Sequence, residues 1–271
     1  MTLALKHLSK NLPDMVFKGG TSLTKCYQLL DRFSEDIDLS YSAESGSPGE
    51  GRRRKLKKVV TEAIDSLGLV VSNLEETRSR RHYNCYRAAY DSIFEKSEFL
   101  KSELVVETYV ALLPFPSTTR MVDNYLYRFL VKINRLDIAE EFDLMPFAIT
   151  TQAVERTLVD KVFALCDYYI TGKTDKHSRH IYDIHRIVNS IVLNNDFKDL
   201  VREVRKDRST LAICPSAQDD VNVSEVLNEI IYKKVYESDY NNVTAGLLFI
   251  PVSYDTAIES LKRIIESGIF D

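Results

Sequence analysis

The sequence is poor in the residues and segments that mark several classes of protein. Its 271 residues include only nine glycines and seven prolines beside 44% hydrophobic and 28% charged residues, a composition that excludes collagen-like and disordered chains. No run of about 18 apolar residues occurs, and the first residues lack the apolar core and cleavage site of a signal peptide. We therefore expect a folded cytoplasmic protein that neither spans a membrane nor is exported.

Cysteine is also scarce and scattered. The sequence has four cysteines, at positions 26, 85, 166 and 214, without the Cys-x-x-Cys or Cys/His spacing of zinc sites. We predict buried, reduced thiols, which suits a reducing compartment.

The charge balance is weakly acidic, with a formal net charge of −4. This balance argues against a protein that binds nucleic acid over its whole surface. Two basic runs, "GRRRKLKK" (51–58) and "RSRRH" (78–82), leave a local contact with a nucleic-acid backbone open, although such runs are more often solvated faces.

The order of apolar patterns predicts an α/β (α+β) chain. Strand-type runs occupy 15–18, 36–41, 68–72 and 102–113, and helical patterns occupy 21–31 and 52–66. Beyond about residue 150 the pattern is helical: Thr150 or Thr151 is expected to cap a helix through Leu165, and further helices are expected near 177–193 and 254–267. We predict a first domain, 1–145, and a mainly helical second domain, 146–271.

The stretch "VFKGGTSLTKCYQLLDRFSEDIDLS" (16–40) begins with a strand, a glycine turn and a helix. Gly19 and Gly20 allow a sharp turn, and the free N–H groups of the next helical turn attract phosphate. Thr21 and Ser22 add hydroxyl groups, and Lys25 follows one turn later. From the residues alone, a simple strand-to-helix connection capped by Thr21 stays an equally open interpretation.

The acidic end of the same stretch suggests a metal site. Asp36 and Asp38 are two residues apart on a predicted strand and share one face, while Ile37 faces the core. Two carboxylates repel each other unless a cation separates them, and such oxygen ligands suit Mg²⁺ held together with phosphates. A third carboxylate, Glu107, lies mid-strand in "SELVVETYVALL" (102–113). A charged strand face in contact with water is the alternative.

These motifs resemble those of a known family. The pattern "FKGGTSLTK…RFSEDIDLS" is similar to the first motif of the AbiEii-type nucleotidyltransferases, relatives of the DNA polymerase β superfamily that include toxins of type IV toxin–antitoxin systems and the MenT toxins. "ERTLVDKVFAL" (155–165) resembles the family's lysine motif, and "RHIYDIHRI" (179–187) resembles its later aspartate motif. The resemblance implies a polymerase-β-like domain with a mixed sheet, followed by a helical domain that completes the nucleotide site.

The resemblance also implies roles for single residues. Asp36 and Asp38 would bind two Mg²⁺ ions, with Glu107 as a third ligand assigned by position. The triphosphate would be held by Gly20, Thr21 and Ser22, and we predict that Gly19 and Lys25 also bind the nucleotide. Relatives usually carry a longer segment before the glycine turn, so we expect the short or incomplete start of this sequence to alter the support of the site.

In the later motifs, Lys161 would contact the nucleotide phosphates and Asp183 would complete the site. The helical period supports Lys161, because it places this lysine within an apolar stripe, where only a snorkelling side chain is the alternative. Asp183 falls opposite the apolar stripe of its own helix, so periodicity alone predicts a solvated side chain.

The implied activity is Mg²⁺-dependent transfer of a nucleoside monophosphate from a nucleoside triphosphate to an acceptor, with the tRNA 3′ end as the expected acceptor. A toxin of this kind implies a cognate antitoxin. Three alternatives remain: a nucleotide-binding module without transfer activity, a sugar transferase using Asp-x-Asp, and an enzyme that modifies protein, including its own Ser34.

Overall fold

The computed structural model describes residues 1–34, 36–93, 95 and 102–271. They form two compact units. The first comprises Met1–Gln28 and Ser34–Ala153, and the second comprises Leu29–Phe33 and Val154–Asp271. The division falls slightly beyond the predicted boundary near residue 145, because the last strand of the first unit follows that position.

Within the described residues, the first unit contains a six-stranded mixed sheet of order β3-β4-β2-β1-β6-β5. Its strands are β1 (Met15–Lys18), β2 (Asp36–Tyr41), β3 (Tyr83–Ala89), β4 (Glu103–Tyr109), β5 (Ser117–Val122) and β6 (Phe147–Gln152). The pairs β2–β4 and β1–β6 are parallel, and the other neighbouring pairs are antiparallel. The strands that carry the predicted acidic residues, β2 and β4, are therefore direct neighbours.

The helices of the first unit are α1 (Thr2–Asn11), α2 (Gly19–Lys25), α3 (Glu50–Asp65), α4 (Tyr125–Lys132) and α5 (Leu136–Glu141). The core contains apolar residues of α1 and α3 together with Ile37, Leu39 and Val106 from the central strands. Because side chains alternate along a strand, burial of these three residues leaves Asp36, Asp38 and the neighbours of Val106 on the opposite face.

The second unit is helical in its described secondary structure. It contains α6 (Val154–Ile170), α7 (Arg179–Val188), α8 (Asn195–Ser209), α9 (Val223–Lys233), the short α10 (Glu237–Asp239) and α11 (Tyr254–Glu266). Helix α7 packs against α6 and α11. The segment 29–33 joins this unit through hydrogen bonds from the Phe33 N–H to the Leu247 carbonyl (2.9 Å) and from the Phe249 N–H to the Asp31 carbonyl (2.8 Å).

Three sequence predictions of secondary structure were wrong. The helix predicted over 21–31 ends at Lys25, and Gln28 has a positive φ of 55°. Residues 68–72 do not form a strand: Gly68, at φ 71°, ends α3 in a left-handed turn, and Val70 is largely exposed. Thr150 and Thr151 do not cap a helix, because they lie within β6, where tertiary pairing with β5 and β1 overrides the local pattern.

No helix among the described residues is both long and apolar enough to cross a membrane.

Candidate functional site

A row of polar side chains crosses the open face of the sheet. Lys18 of β1 is paired in register with Asp38 of β2, Asp38 with Glu107 of β4, and Glu107 with Cys85 of β3. Residues in register on neighbouring strands share a face, with Cα atoms about 5 Å apart. The sheet thus brings two of the predicted carboxylates side by side, with a lysine at one end of the row.

Asp36 lies two residues before Asp38 on this face and is paired in register with Val105 of β4. Burial raises the pKa of Glu107, and the negative charge of Asp36 raises it further. A hydrogen bond from Tyr83 and the charge of Lys18 act in the opposite direction. The Tyr83 hydroxyl donates to Glu107 Oε1 at 2.9 Å. Asp36 and Glu107 are therefore electrostatically coupled, and Asp38 lies in register beside Glu107.

The glycine turn lies against this group. Gly19 begins α2 at φ 78°, in the left-handed region that favours glycine. A Cβ built on Gly19 would lie only 1.9 Å from Oδ2 of Asp38. The Asp38 carboxylate is thus packed onto the main chain of the turn, which only a residue without a side chain permits.

The hydroxyl groups of Thr21 and Ser22 are directed into the protein. Thr21 is 1% exposed, and its Oγ1 donates to the Asp36 carbonyl at 2.5 Å and hydrogen-bonds with Ser34 Oγ at 2.7 Å. Ser22 is fully buried and donates to the Gly19 carbonyl at 2.8 Å. Their hydroxyl groups hold the turn against β2. The groups of this segment that are suited to bind a ligand are its main-chain N–H groups, including that of Gly20.

Lys25, predicted to bind the nucleotide, is directed towards α1. Its Nζ donates to Thr2 Oγ1 at 2.9 Å and lies 5.9 Å from the ring centre of Tyr125. Burial, and then the charge of Arg128, lower the pKa of Lys25. Its described contacts are therefore with α1 and α4.

The donor chemistry fits Mg²⁺ shared with a substrate. Across the described residues, no group of three or more His, Cys, Asp or Glu side chains is arranged to hold a metal ion by itself. Mg²⁺ usually takes one or two protein carboxylates and completes its shell with water and phosphate oxygens. Asp36 and Asp38 meet this requirement. The described residues of this face do not supply a complete set of protein ligands for a metal ion.

The second unit contains a separate buried ionic cluster, which we call the Asp183 cluster: Arg32, Lys161 and Asp183. Arg32 donates from Nε to Oδ1 and from Nη2 to Oδ2 of Asp183, both at 2.7 Å, and Lys161 Nζ lies 2.7 Å from Oδ2. Asp183 is fully buried, so the solvated position predicted from helical periodicity was wrong. Burial by itself would raise the pKa of Asp183, but the charges and hydrogen bonds of Arg32 and Lys161 outweigh it and hold this pKa well below its ordinary value.

The Asp183 cluster holds two cations, Arg32 and Lys161, against one carboxylate. His180, whose pKa is lowered well below its ordinary value by burial and then by Lys161, adds no further charge near neutral pH. The Lys161 ammonium carries three N–H donors and its ion pair with Asp183 uses one of them, so it can also bind a phosphate oxygen.

Sequence analysis missed three residues of these sites: Lys18, Tyr83 and Arg32. Lys18 directly precedes the glycine pair and follows the buried Phe17. Strand alternation therefore places Lys18 on the face opposite the core, and this pattern could have identified it. Tyr83 reaches Glu107 through the pairing of β3 with β4, and Arg32 reaches Asp183 through a contact between distant parts of the chain. Nothing in the sequence pattern indicated either contact.

Comparison with known proteins gives one result for the whole chain. No curated protein matches this sequence. A family model described as "Nucleotidyl transferase AbiEii toxin, Type IV TA system" matches residues 3–260. Since the match covers both units almost completely, the chain belongs to the AbiEii nucleotidyltransferase toxin family of type IV toxin–antitoxin systems.

Proposed function

We propose that this protein is a Mg²⁺-dependent nucleotidyltransferase that moves a nucleoside monophosphate from a nucleoside triphosphate to an acceptor hydroxyl. The acceptor oxygen bonds to the α-phosphorus, the bond from that phosphorus to the pyrophosphate oxygen breaks, and the acceptor proton passes to a base. The observation that carries the proposal is the placement of Asp36, Asp38 and Glu107 on one face of the sheet beside the Gly19 turn, in a chain of this family.

Asp36 and Asp38 are proposed to hold two Mg²⁺ ions that are shared with the nucleotide. When bound, Mg²⁺ supplies charge neutralisation on the phosphate oxygens. The main-chain N–H groups of Gly20, Thr21 and Ser22 are proposed to bind the phosphates, while the two hydroxyl groups keep the turn in place. Because Asp38 packs on Gly19, the turn and the ion ligands are held in a fixed relation.

Glu107 is proposed to orient or deprotonate the acceptor hydroxyl. A general base works best when its pKa lies near the operating pH, and burial together with Asp36 raises the pKa of Glu107 in that direction. The hydrogen bond from Tyr83 fixes Oε1, which leaves Oε2 as the oxygen proposed to accept the proton.

Lys161 is proposed to bind a nucleotide phosphate, and Asp183 to hold Lys161 in position for that task. The support is the 2.7 Å contact between Lys161 Nζ and Asp183, which fixes the ammonium group and leaves further N–H donors for a phosphate oxygen.

We further propose RNA, in particular the tRNA 3′ end, as the acceptor, in the cytoplasm. The two basic runs, separated in sequence, lie side by side in the first unit: Arg53 Nη1 donates to the Arg80 carbonyl at 3.2 Å, and Lys57 Nζ donates to the Thr77 carbonyl at 2.9 Å. A joined basic surface attracts a phosphate backbone without reading its sequence. Modification of the protein's own Ser34 is less favoured, because Ser34 Oγ is engaged with Thr21.

The proposal is tested by incubating the protein with Mg²⁺ and each α-labelled nucleoside triphosphate in turn, with total RNA and total protein as separate acceptors. We expect label in the RNA, in the tRNA size range, and its loss in Asp36→Asn. Asp65→Asn, at an exposed position of α3, is the matched control and should keep full activity. Label in the protein fraction alone would show that the acceptor is protein and not RNA. Label in neither fraction, or label retained by Asp36→Asn, would refute the proposed transfer.

The toxin role is tested in cells. Expression of the wild type without its antitoxin should stop growth, and Asp36→Asn should not. Growth arrest by Asp36→Asn would show that toxicity does not depend on this site.

A further inference from the structure

Exposed apolar side chains are concentrated on one part of the first unit. They occur between Met121 and Phe142, and they include Leu126 (61% exposed), Phe129 (56%) and Phe142 (60%). Exposed apolar side chains grouped in this way often mark a surface that contacts another molecule. An apolar face on both sides of a helix is expected only where a second surface covers it.

These residues belong to a helical hairpin formed by α4 and α5, which we call the α4–α5 hairpin. Its base is closed by a hydrogen bond from Asn124 Nδ2 to the Leu144 carbonyl (3.0 Å), and its tip turns at Asn134, with φ 55°. Leu130 and Ala139 are its buried anchors. The remaining apolar side chains extend from base to tip on the exposed side.

The charges of the hairpin argue against a nucleic acid or an anionic membrane as its partner. The segment 121–143 contains three Lys and Arg residues but five Asp and Glu residues. Two of the cations are already neutralised, Arg128 by Asp123 at 2.5 Å and Arg135 by Asp137 at 2.8 Å. A phosphate-rich partner would meet a net negative surface.

The remaining charges are separated along the hairpin. Within the part of the chain that the structure describes, Lys132, Glu140 and Glu141 have no ion-pair partner, and all three are exposed. Lys132 ends α4 near the tip, whereas Glu140 and Glu141 end α5 near the base. Two such hairpins packed antiparallel would place the tip of each against the base of the other.

We propose that the α4–α5 hairpin is the self-association surface of this protein and that its partner is a second copy of the chain, related by a two-fold axis. A two-fold interface brings the same patch of both copies together, so the patch must complement itself. The hairpin meets this condition. Phe129, midway along α4, meets its counterpart, whereas Leu126 and Phe142 near the base meet the exposed Ile133 and Leu136 near the tip of the other copy. Lys132 of each copy then faces the acidic base of the other.

The first test measures the mass of the full-length protein by sedimentation velocity over a range of concentrations. The wild type should be a dimer that dissociates on dilution, and Phe129→Asp should be monomeric at every concentration. Val192→Asp, which changes a residue of the second unit that is 75% exposed, is the matched control and should remain dimeric. Circular dichroism checks that each variant is folded.

The second test separates the proposed geometry from a general loss of apolar surface. Lys132→Glu should weaken dimerisation about tenfold or more, since two like-charged contacts form in each dimer. The combined variant Lys132→Glu, Glu140→Lys and Glu141→Lys should restore it, because the charges are exchanged at both ends. A monomeric wild type, dimers unaffected by Phe129→Asp, or no recovery in the combined variant would each overturn the proposal.

Discussion

The Asp183 cluster gives a sharp prediction about stability. Asp183→Asn removes the one anion of the cluster but keeps the shape of the side chain. Asp183 accepts two hydrogen bonds from Arg32 and is ion-paired with Lys161, and side-chain exposures in the cluster are 4%, 8% and 0% for Arg32, Lys161 and Asp183. The substitution therefore removes the carboxylate charge that two buried cations contact.

The expected cost follows from this geometry. Removing one partner of a buried ion pair typically costs about 3–5 kcal/mol. Lys161→Met should cost less, about 1–2 kcal/mol, because it removes one charge-assisted contact and leaves the paired hydrogen bonds between Arg32 and Asp183. The combination of both substitutions should cost less than their sum, since each substitution alone already removes the ion pair between Lys161 and Asp183.

The assay is equilibrium unfolding in denaturant, followed by far-ultraviolet circular dichroism and by tyrosine fluorescence, since the chain has no tryptophan and fifteen tyrosines. The free energies of unfolding of the wild type, both single variants and the double variant form a cycle. If Asp183→Asn destabilises the protein no more than Lys161→Met does, or if the two effects simply add, the reasoning about the carboxylate shared by Arg32 and Lys161 is wrong.

The same cluster predicts a pH dependence. Because the pKa of Asp183 is held well below its ordinary value, its stabilising effect is complete above the ordinary carboxyl pKa and is lost as the pH falls through the folded-state pKa. The difference in unfolding free energy between the wild type and Asp183→Asn should therefore be largest near neutral pH and shrink in strong acid.

Two further predictions concern the sheet face. Gly19→Ala should abolish transfer and destabilise the protein by more than about 1 kcal/mol, because the added Cβ meets the Asp38 carboxylate and the backbone has a positive φ. Transfer assays and unfolding measurements check this prediction. Near-normal values in both would contradict it. Tyr83→Phe should raise the pKa of Glu107 and move the acidic limb of the pH–rate profile to higher pH, because it removes a hydrogen bond that lowers that pKa. Tyr86→Phe, on the opposite face of β3, is its control, and an unchanged profile in Tyr83→Phe would contradict the assigned contact.

Several features of the fold follow from local sequence patterns. The alternation in "DIDLSY" predicted β2 with Ile37 facing the core, and the structure confirms a strand over Asp36–Tyr41 with Ile37 fully buried. The family is confirmed by the match over residues 3–260, and the mixed α/β architecture by the six-stranded sheet of the described residues. The roles of the individual site residues, including the Mg²⁺ ligands, stay predictions.

Other features depend on contacts that no local pattern records. β6 carries threonines in a segment that locally suits a helix start, and it becomes a strand because β1 and β5 pair with it on both sides. The residues 29–33 follow the glycine motif in sequence but belong to the second unit, which brings Arg32 to Asp183.

The sequence by itself determined which residue types are available and how they are spaced: the glycine pair, the Asp-x-Asp strand, the lysine within an apolar stripe. Periodicity is a property of neighbouring residues, so it is readable without a fold. Only the tertiary structure decided which side chains meet across strands and helices. It placed Glu107 beside Asp38, packed Asp38 onto Gly19, directed the Thr21 and Ser22 hydroxyl groups inward, and buried Asp183 between two cations. Pairing and burial depend on residues far apart in the chain, and that is why the sequence did not reveal them.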